Sequence, residues 1–166
     1  METYGAEPTS SATQKRVGIA EFAVTDGGAV LSTSGLGSCL GVALYDERAG
    51  VAGLIHTMLP AAPEDCPNPV KYTDTGIDTL LAAMAAEGAT TANVTAKLAG
   101  ASAMFDFDSQ EESIGDRNVA VAHEVFDQRS IPIVAEDVGG DSGRSIKFRG
   151  DTGELLIVSS GNETRL

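Results

Sequence analysis

The chain has 166 residues, 42% of them apolar, and a formal net charge of −13 from 24 acidic and 11 basic residues. That length suits one domain burying roughly 70% of its unfolded surface, and the apolar content excludes intrinsic disorder. The charge argues against nucleic acid as a partner, because phosphate contacts need clustered Lys and Arg, and no apolar run is long enough for a membrane-inserted protein.

Residues 1–15 are polar, rich in Gly, Pro, Ser and Thr, and read as a mobile tail without the apolar segment of a signal peptide. One domain is expected over 16–166. "RVGIAEFAV" at 16–24 and "AVLST" at 29–33 read as strands around a "TDGG" turn. "CLGVALYDERAGVAGLIHTMLP" reads as two strands about a tip at Asp46–Ala49. Pairing Tyr45 with Gly50 sets Cys39 opposite His56. One face then carries Cys39, Gly41, Ala43, Ala52, Leu54 and His56, and the other Leu40, Val42, Leu44, Val51, Gly53 and Ile55. Both faces are apolar, so this sheet is expected to be covered on both sides.

A proline-rich loop at 60–69 precedes a helix over 74–88, with Ile77, Leu80, Leu81 and Met84 on one stripe and Gly88 as its stop. A strand follows at 93–100, then an acidic loop. A second helix at 116–130 carries Val119, Ala122, Val125 and Phe126. "IPIVAEDVGG" is a strand leading to a turn, and 144–160 is a closing hairpin with its tip at Gly150–Gly153. Strands outnumber helices and adjoin in sequence, which favours α+β with packed sheets over a doubly wound sheet.

Two cysteines, Cys39 and Cys66, give no disulfide framework, which fits a cytoplasmic chain. Free cysteine is most often a buried packing residue. The stretch "TSGLGSCLGV" at 33–42 offers more: its glycines allow close backbone approach and free N–H donors for an oxyanion, and the hairpin brings a histidine. An imidazole beside the thiol removes the handicap of a pKa near ~8.5 and can protonate a leaving amine. Cys39 with His56 therefore suits acyl chemistry on an amide or ester. Thr33 and Ser38 are both hydroxyl candidates for the group that orients the imidazole. A zinc site from Cys39, His56, Cys66 and His123 lacks ligand spacing; Cys66 reads as an incidental loop thiol and His123 as a solvated helix residue. "GSCLG" also matches the G-x-C-x-G elbow, but that elbow needs a following helix, and a strand follows here.

The motifs "TSGLGSC" and "GLIHTMLP", followed in order by "KYTDTGIDTL", "KLAGASAMF", "IGDRN" and "AEDVGGDSGRS", resemble the CheD family of chemoreceptor glutamine deamidases over about residues 16–158. The resemblance implies a three-layer α/β/β sandwich with mixed sheets, like the catalytic domain of the cytotoxic necrotizing factor toxins. It implies Cys39 as nucleophile, His56 as its acid/base partner and Thr33 as the third member, with Ser38 and Gly37 at the substrate and no cofactor or metal. The implied substrate is a glutamine of a methyl-accepting chemoreceptor, in the cytoplasm at receptor arrays. The implied partner is the phosphatase CheC, and a role as a regulatory module for CheC with little activity is the competing reading. Ser34 stands where the family often has leucine, and Ala101 where a second glycine is usual.

The acidic surface points to a high-salt source, where screening offsets self-repulsion. On transfer from molar salt to low-salt buffer the chain is expected to unfold, read as loss of far-ultraviolet circular dichroism; indifference to salt would contradict this.

Overall fold

A computed structural model describes residues 13–103 and 113–166. Among these residues ten strands form two mixed sheets. They are β1 (Gln14–Arg16), β2 (Phe22–Thr25), β3 (Val30–Leu36), β4 (Leu40–Asp46), β5 (Val51–Thr57), β6 (Val94–Gly100), β7 (Ile133–Val138), β8 (Arg144–Arg149), β9 (Leu155–Ser159) and β10 (Asn162–Arg165). Helix α1 spans Thr73–Ala86 and α2 spans Ile114–Arg129. The central sheet runs β2-β5-β4-β6-β7 and the outer sheet β10-β9-β8-β3-β1. Each contains one parallel pair, β6 with β7 and β1 with β3. The parallel β6–β7 pair needs a crossover, and α2 supplies it.

The layers follow from side-chain alternation. On β4 and β5, Leu40, Val42, Leu44, Val51 and Ile55 face the helices, packing against Ile77, Leu80 and Met84 of α1 and Ala122, Val125 and Phe126 of α2. The other face presents small residues, Ala43, Ala52 and Ala99, with Leu54. They meet larger ones on the outer sheet: Leu31, Leu36, Ile146, Phe148, Leu155 and Ile157. Small against large lets two pleated faces interdigitate at native density. The result is an α+β, three-layer α/β/β sandwich with its central sheet covered on both sides, as expected.

The hairpin register differs from expectation by two residues. Gly41, not Cys39, pairs with His56, and Asp46 pairs with Val51. The tip is Glu47–Gly50 because Asp46 is a strand end rather than a turn residue. Its carboxylate is fully buried and accepts from Ala49 N at 3.0 Å and Thr90 N at 2.8 Å, and its carbonyl accepts from Gly50 N at 2.9 Å. Gly50 closes the turn at φ +70°, a conformation glycine adopts without strain. A shift of two preserves the pleat, so the predicted faces of the hairpin stand.

Other boundaries move as well. The strand expected over 16–24 is two strands, β1 and β2, separated by a turn. The tail expected over 1–15 lies outside the described residues up to residue 12, while Gln14–Arg16 pair parallel with Val30–Ser32. The acidic loop falls outside the described residues at 104–112. Helix α2 starts two residues early because Ser113 caps it, its hydroxyl accepting from Asp116 N at 3.0 Å. The closing hairpin gains β10, which pairs with β9.

The end of β6 abuts the cysteine turn. Gly100 adopts φ +107°, and a Cβ there would lie 2.6 Å from the carbonyl oxygen of Cys39. Gly100→Ala is therefore expected to destabilise the chain by about 1–3 kcal/mol, measured as a lower urea midpoint.

Candidate active site

Thr33 and Leu31 point inward from β3, on the outer sheet, both nearly or fully buried. A register shift follows between Thr33 and Leu36, so Leu36 also turns inward three residues on rather than two. His56 points inward from β5, on the central sheet, and is fully buried. The two meet across the sandwich, with Thr33 Oγ1 and His56 Nδ1 2.8 Å apart. Thr33 and not Ser38 thus holds the imidazole; Ser38 is exposed and Gly37 half-buried. The other ring nitrogen, Nε2, is buried and has no hydrogen-bond partner among the described residues.

Cys39 is half-buried directly before β4 and packs against the same inter-sheet core. Since Gly41 pairs with His56, Cys39 stands one diagonal away on the same face, and diagonal neighbours sit roughly 7–8 Å apart, within reach of longer side chains. Burial pushes the Cys39 thiol above its ordinary 9.0 and the His56 imidazole below its ordinary 6.5. Both shifts favour a neutral thiol beside a neutral imidazole, rather than a standing ion pair.

The cysteine turn is fastened by its carbonyls. Gly37 O accepts from Ser102 N at 2.7 Å, Ser38 O from Asn118 Nδ2 at 2.9 Å and Cys39 O from Ala101 N at 2.8 Å. Neither Ser38 N nor Cys39 N donates to a carbonyl among the described residues. Ala101, where glycine is usual in the resembled family, adopts φ +57°, which costs a non-glycine residue about 1–2 kcal/mol. Ser34 faces outward to Arg16 Nη2 at 2.9 Å, which a leucine there could not accept.

The structure does not bring the other candidates together. Cys66 is half-buried in the loop before α1. His123 is an exposed residue of α2, as expected, and its Nε2 lies 2.8 Å from Glu136 Oε1. Among the described residues no group of three His, Cys, Asp or Glu is placed to hold a metal. No helix among them is long and apolar enough to cross a membrane. Asn118 and Ser102, which touch the cysteine turn, carry no local signal that single-sequence reasoning could use; Asn118 lay inside the noted "IGDRN" block, without a role.

A family model described as CheD chemotactic sensory transduction matches residues 58–159, a span that begins after Thr33, Cys39 and His56. Relatives extend over those three as well. A protein of Haloarcula marismortui called "Probable chemoreceptor glutamine deamidase CheD" is 46% identical over 170 residues, covering 99% of this chain and 98% of its own. One of the same name from Natronomonas pharaonis is 46% identical over 167 residues, covering 97% and 99%. These two sources fit the high-salt habitat that the charge implies. Among solved structures, the hypothetical protein YfiH of Bacillus licheniformis is similar at a TM-score of 0.45, with 17% identity over 70% of this chain and 49% of that one.

Burial lowers the His56 imidazole in the fold, whereas the unfolded chain has its ordinary value near 6.5. The unfolded state takes up the proton first as pH falls, so this contribution to stability is complete above pH 6.5 and lost below it. The urea midpoint is expected to fall between about pH 7 and pH 5.5, and to fall less in His56→Asn.

Proposed function

The chain belongs to the CheD family of chemotactic sensory transduction proteins, and we propose that it hydrolyses glutamine side-chain amides of methyl-accepting chemoreceptors to glutamate and ammonia. The observation that carries this reading is the buried His56, tied through Nδ1 to Thr33, with no partner for Nε2 among the described residues and on the face shared with Cys39. A core histidine kept only for packing would have both nitrogens satisfied or one exposed. The deamidase unit spans residues 16–166, in the cytoplasm at receptor arrays.

The neutral pair defines the first step. His56 Nε2 takes the thiol proton as Cys39 Sγ bonds to the amide carbon, and the oxygen gains the electron pair of the carbonyl. The N–H groups of Cys39 and Ser38 hold that oxyanion, with Gly37 and Ser38 lining the substrate's path. His56 returns the proton to the amide nitrogen, the C–N bond breaks, and ammonia leaves a thioester on Cys39. Water then attacks the thioester, His56 takes its proton, the C–S bond breaks, and the proton returns to sulfur. Thr33 accepts from Nδ1–H, which keeps Nε2 available in the first step and steadies the imidazolium between transfers. A methyl ester of glutamate presents the same acyl carbon, so esterase activity follows the same route.

Because the pair is neutral at rest, turnover falls as pH drops through the lowered value of His56. A purely regulatory role beside CheC would leave the Thr33–His56 pair and the free amides without use, which favours catalysis; CheC binding at this face is compatible with it.

Mass spectrometry of receptor fragments incubated with the chain is expected to show conversion of specific glutamines to glutamate. Cys39→Ala should abolish it, and Thr33→Val should lower kcat on the order of 10- to 100-fold. Conversion that survives Cys39→Ala would overturn the nucleophile.

A further inference from the structure

Asn118 lies outside the three residues above, yet its side chain reaches both segments that carry Cys39 and His56. It is fully buried on α2. Its Nδ2 donates to Ser38 O at 2.9 Å and to Met58 O at 3.2 Å. Ser38 immediately precedes Cys39, and Met58 follows His56 by two. Both amide hydrogens are therefore committed, one to each segment.

The amide's orientation is fixed as well. Its Oδ1 lies 3.4 Å from Thr73 Oγ1, whose single hydrogen is shared between that oxygen and Leu59 O at 3.1 Å, and Thr57 Oγ1 stands 2.9 Å from the same hydroxyl. Turning the amide over would set its oxygen against two carbonyls. Thr73, Thr57 and Asn118 are all fully buried, so no water competes for these bonds.

We propose that Asn118 is a positioning residue that sets the orientation of the Ser38–Cys39 peptide, and with it the oxyanion donor of the cysteine. The proposal rests on the deamidase reading. A peptide group is planar and trans, so its C=O and N–H point opposite ways. With Ser38 O drawn toward α2, the N–H of Cys39 turns away from the helices. That is the side on which the Cys39 side chain packs against the inter-sheet core. The neighbouring carbonyls, Gly37 O and Cys39 O, are held by Ser102 N and Ala101 N, so the peptides on either side cannot compensate. Without Asn118, nothing among the described residues keeps the Ser38 carbonyl inward. A flipped peptide would then place an oxygen where negative charge develops.

The test uses the full chain with a glutamine-containing receptor fragment. In Asn118→Ala, kcat is expected to fall about 100-fold, the usual cost of one oxyanion donor, while KM stays within about threefold. Alkylation of Cys39 by iodoacetamide forms no oxyanion, so its rate should change by less than about twofold. Should that variant fail to fold, Thr73→Val carries the same test: it keeps the amide, removes the hydroxyl that anchors Oδ1, and should lower kcat about tenfold with alkylation unchanged. A folded variant with unchanged kcat overturns the proposal. So does a fall in alkylation that matches the fall in kcat, since Asn118 would then act through the thiol or the whole site. An inactive wild type overturns the deamidase reading itself, and this proposal with it; an active wild type beside an equally active variant overturns only this one.

Discussion

The hydrogen bond between Thr33 and His56 is the interaction on which the site depends. It joins the two sheets through the inside of the sandwich, between layers otherwise packed by aliphatic side chains. An imidazole with no exposed surface is costly to bury unless its polar atoms are paired. Nδ1 is paired and, among the described residues, Nε2 is not, so the fold carries an unmet polar atom on the face that Cys39 shares. Leaving such a group buried costs about 1–3 kcal/mol, a cost that the surrounding core must offset. Functional sites are where such costs are expected.

Around that bond the structure divides the work by layer. The outer sheet supplies the Thr33 hydroxyl, and a register shift after Thr33 brings the chain round to the cysteine turn. The central sheet supplies the imidazole. From the helical layer α2 lends Asn118, and from the chain that follows β6 come the amides of Ala101 and Ser102. These donors take up the carbonyls of Gly37, Ser38 and Cys39, while the Cys39 side chain packs against the inter-sheet core. Burial then sets the electrostatics, raising the Cys39 thiol and lowering the His56 imidazole, which favours the neutral form of each.

Much of this was legible in the sequence because strands have a period of two. The hairpin faces survived a register error of two residues, since the pleat returns to the same side after two. An error of one would have separated Cys39 from His56. The double-sided apolar pattern of 40–45 and 51–56 correctly required covering layers on both faces. Residues alone could not choose between Thr33 and Ser38. The choice depends on a sheet-to-sheet contact 23 positions apart and on a bulge that no local pattern announces. The resemblance chose Thr33, whose hydroxyl lies 2.8 Å from His56 Nδ1 in the fold. Asn118 was hidden for the same reason: its partners lie 80 and 60 residues away. β1 and β10 were missed because their side chains are exposed and polar, leaving no hydrophobic alternation to read.

The central claim is that Cys39 carries the substrate's acyl group between two proton transfers by His56. Rapid mixing with a glutamine-containing receptor fragment, acid quench and mass spectrometry of the intact chain tests it most directly. The account predicts a transient adduct equal to the fragment less ammonia, mapped to Cys39 and labile to hydroxylamine. Glutamate formed with no adduct at any time, or with the adduct mapped to Cys66, would contradict it.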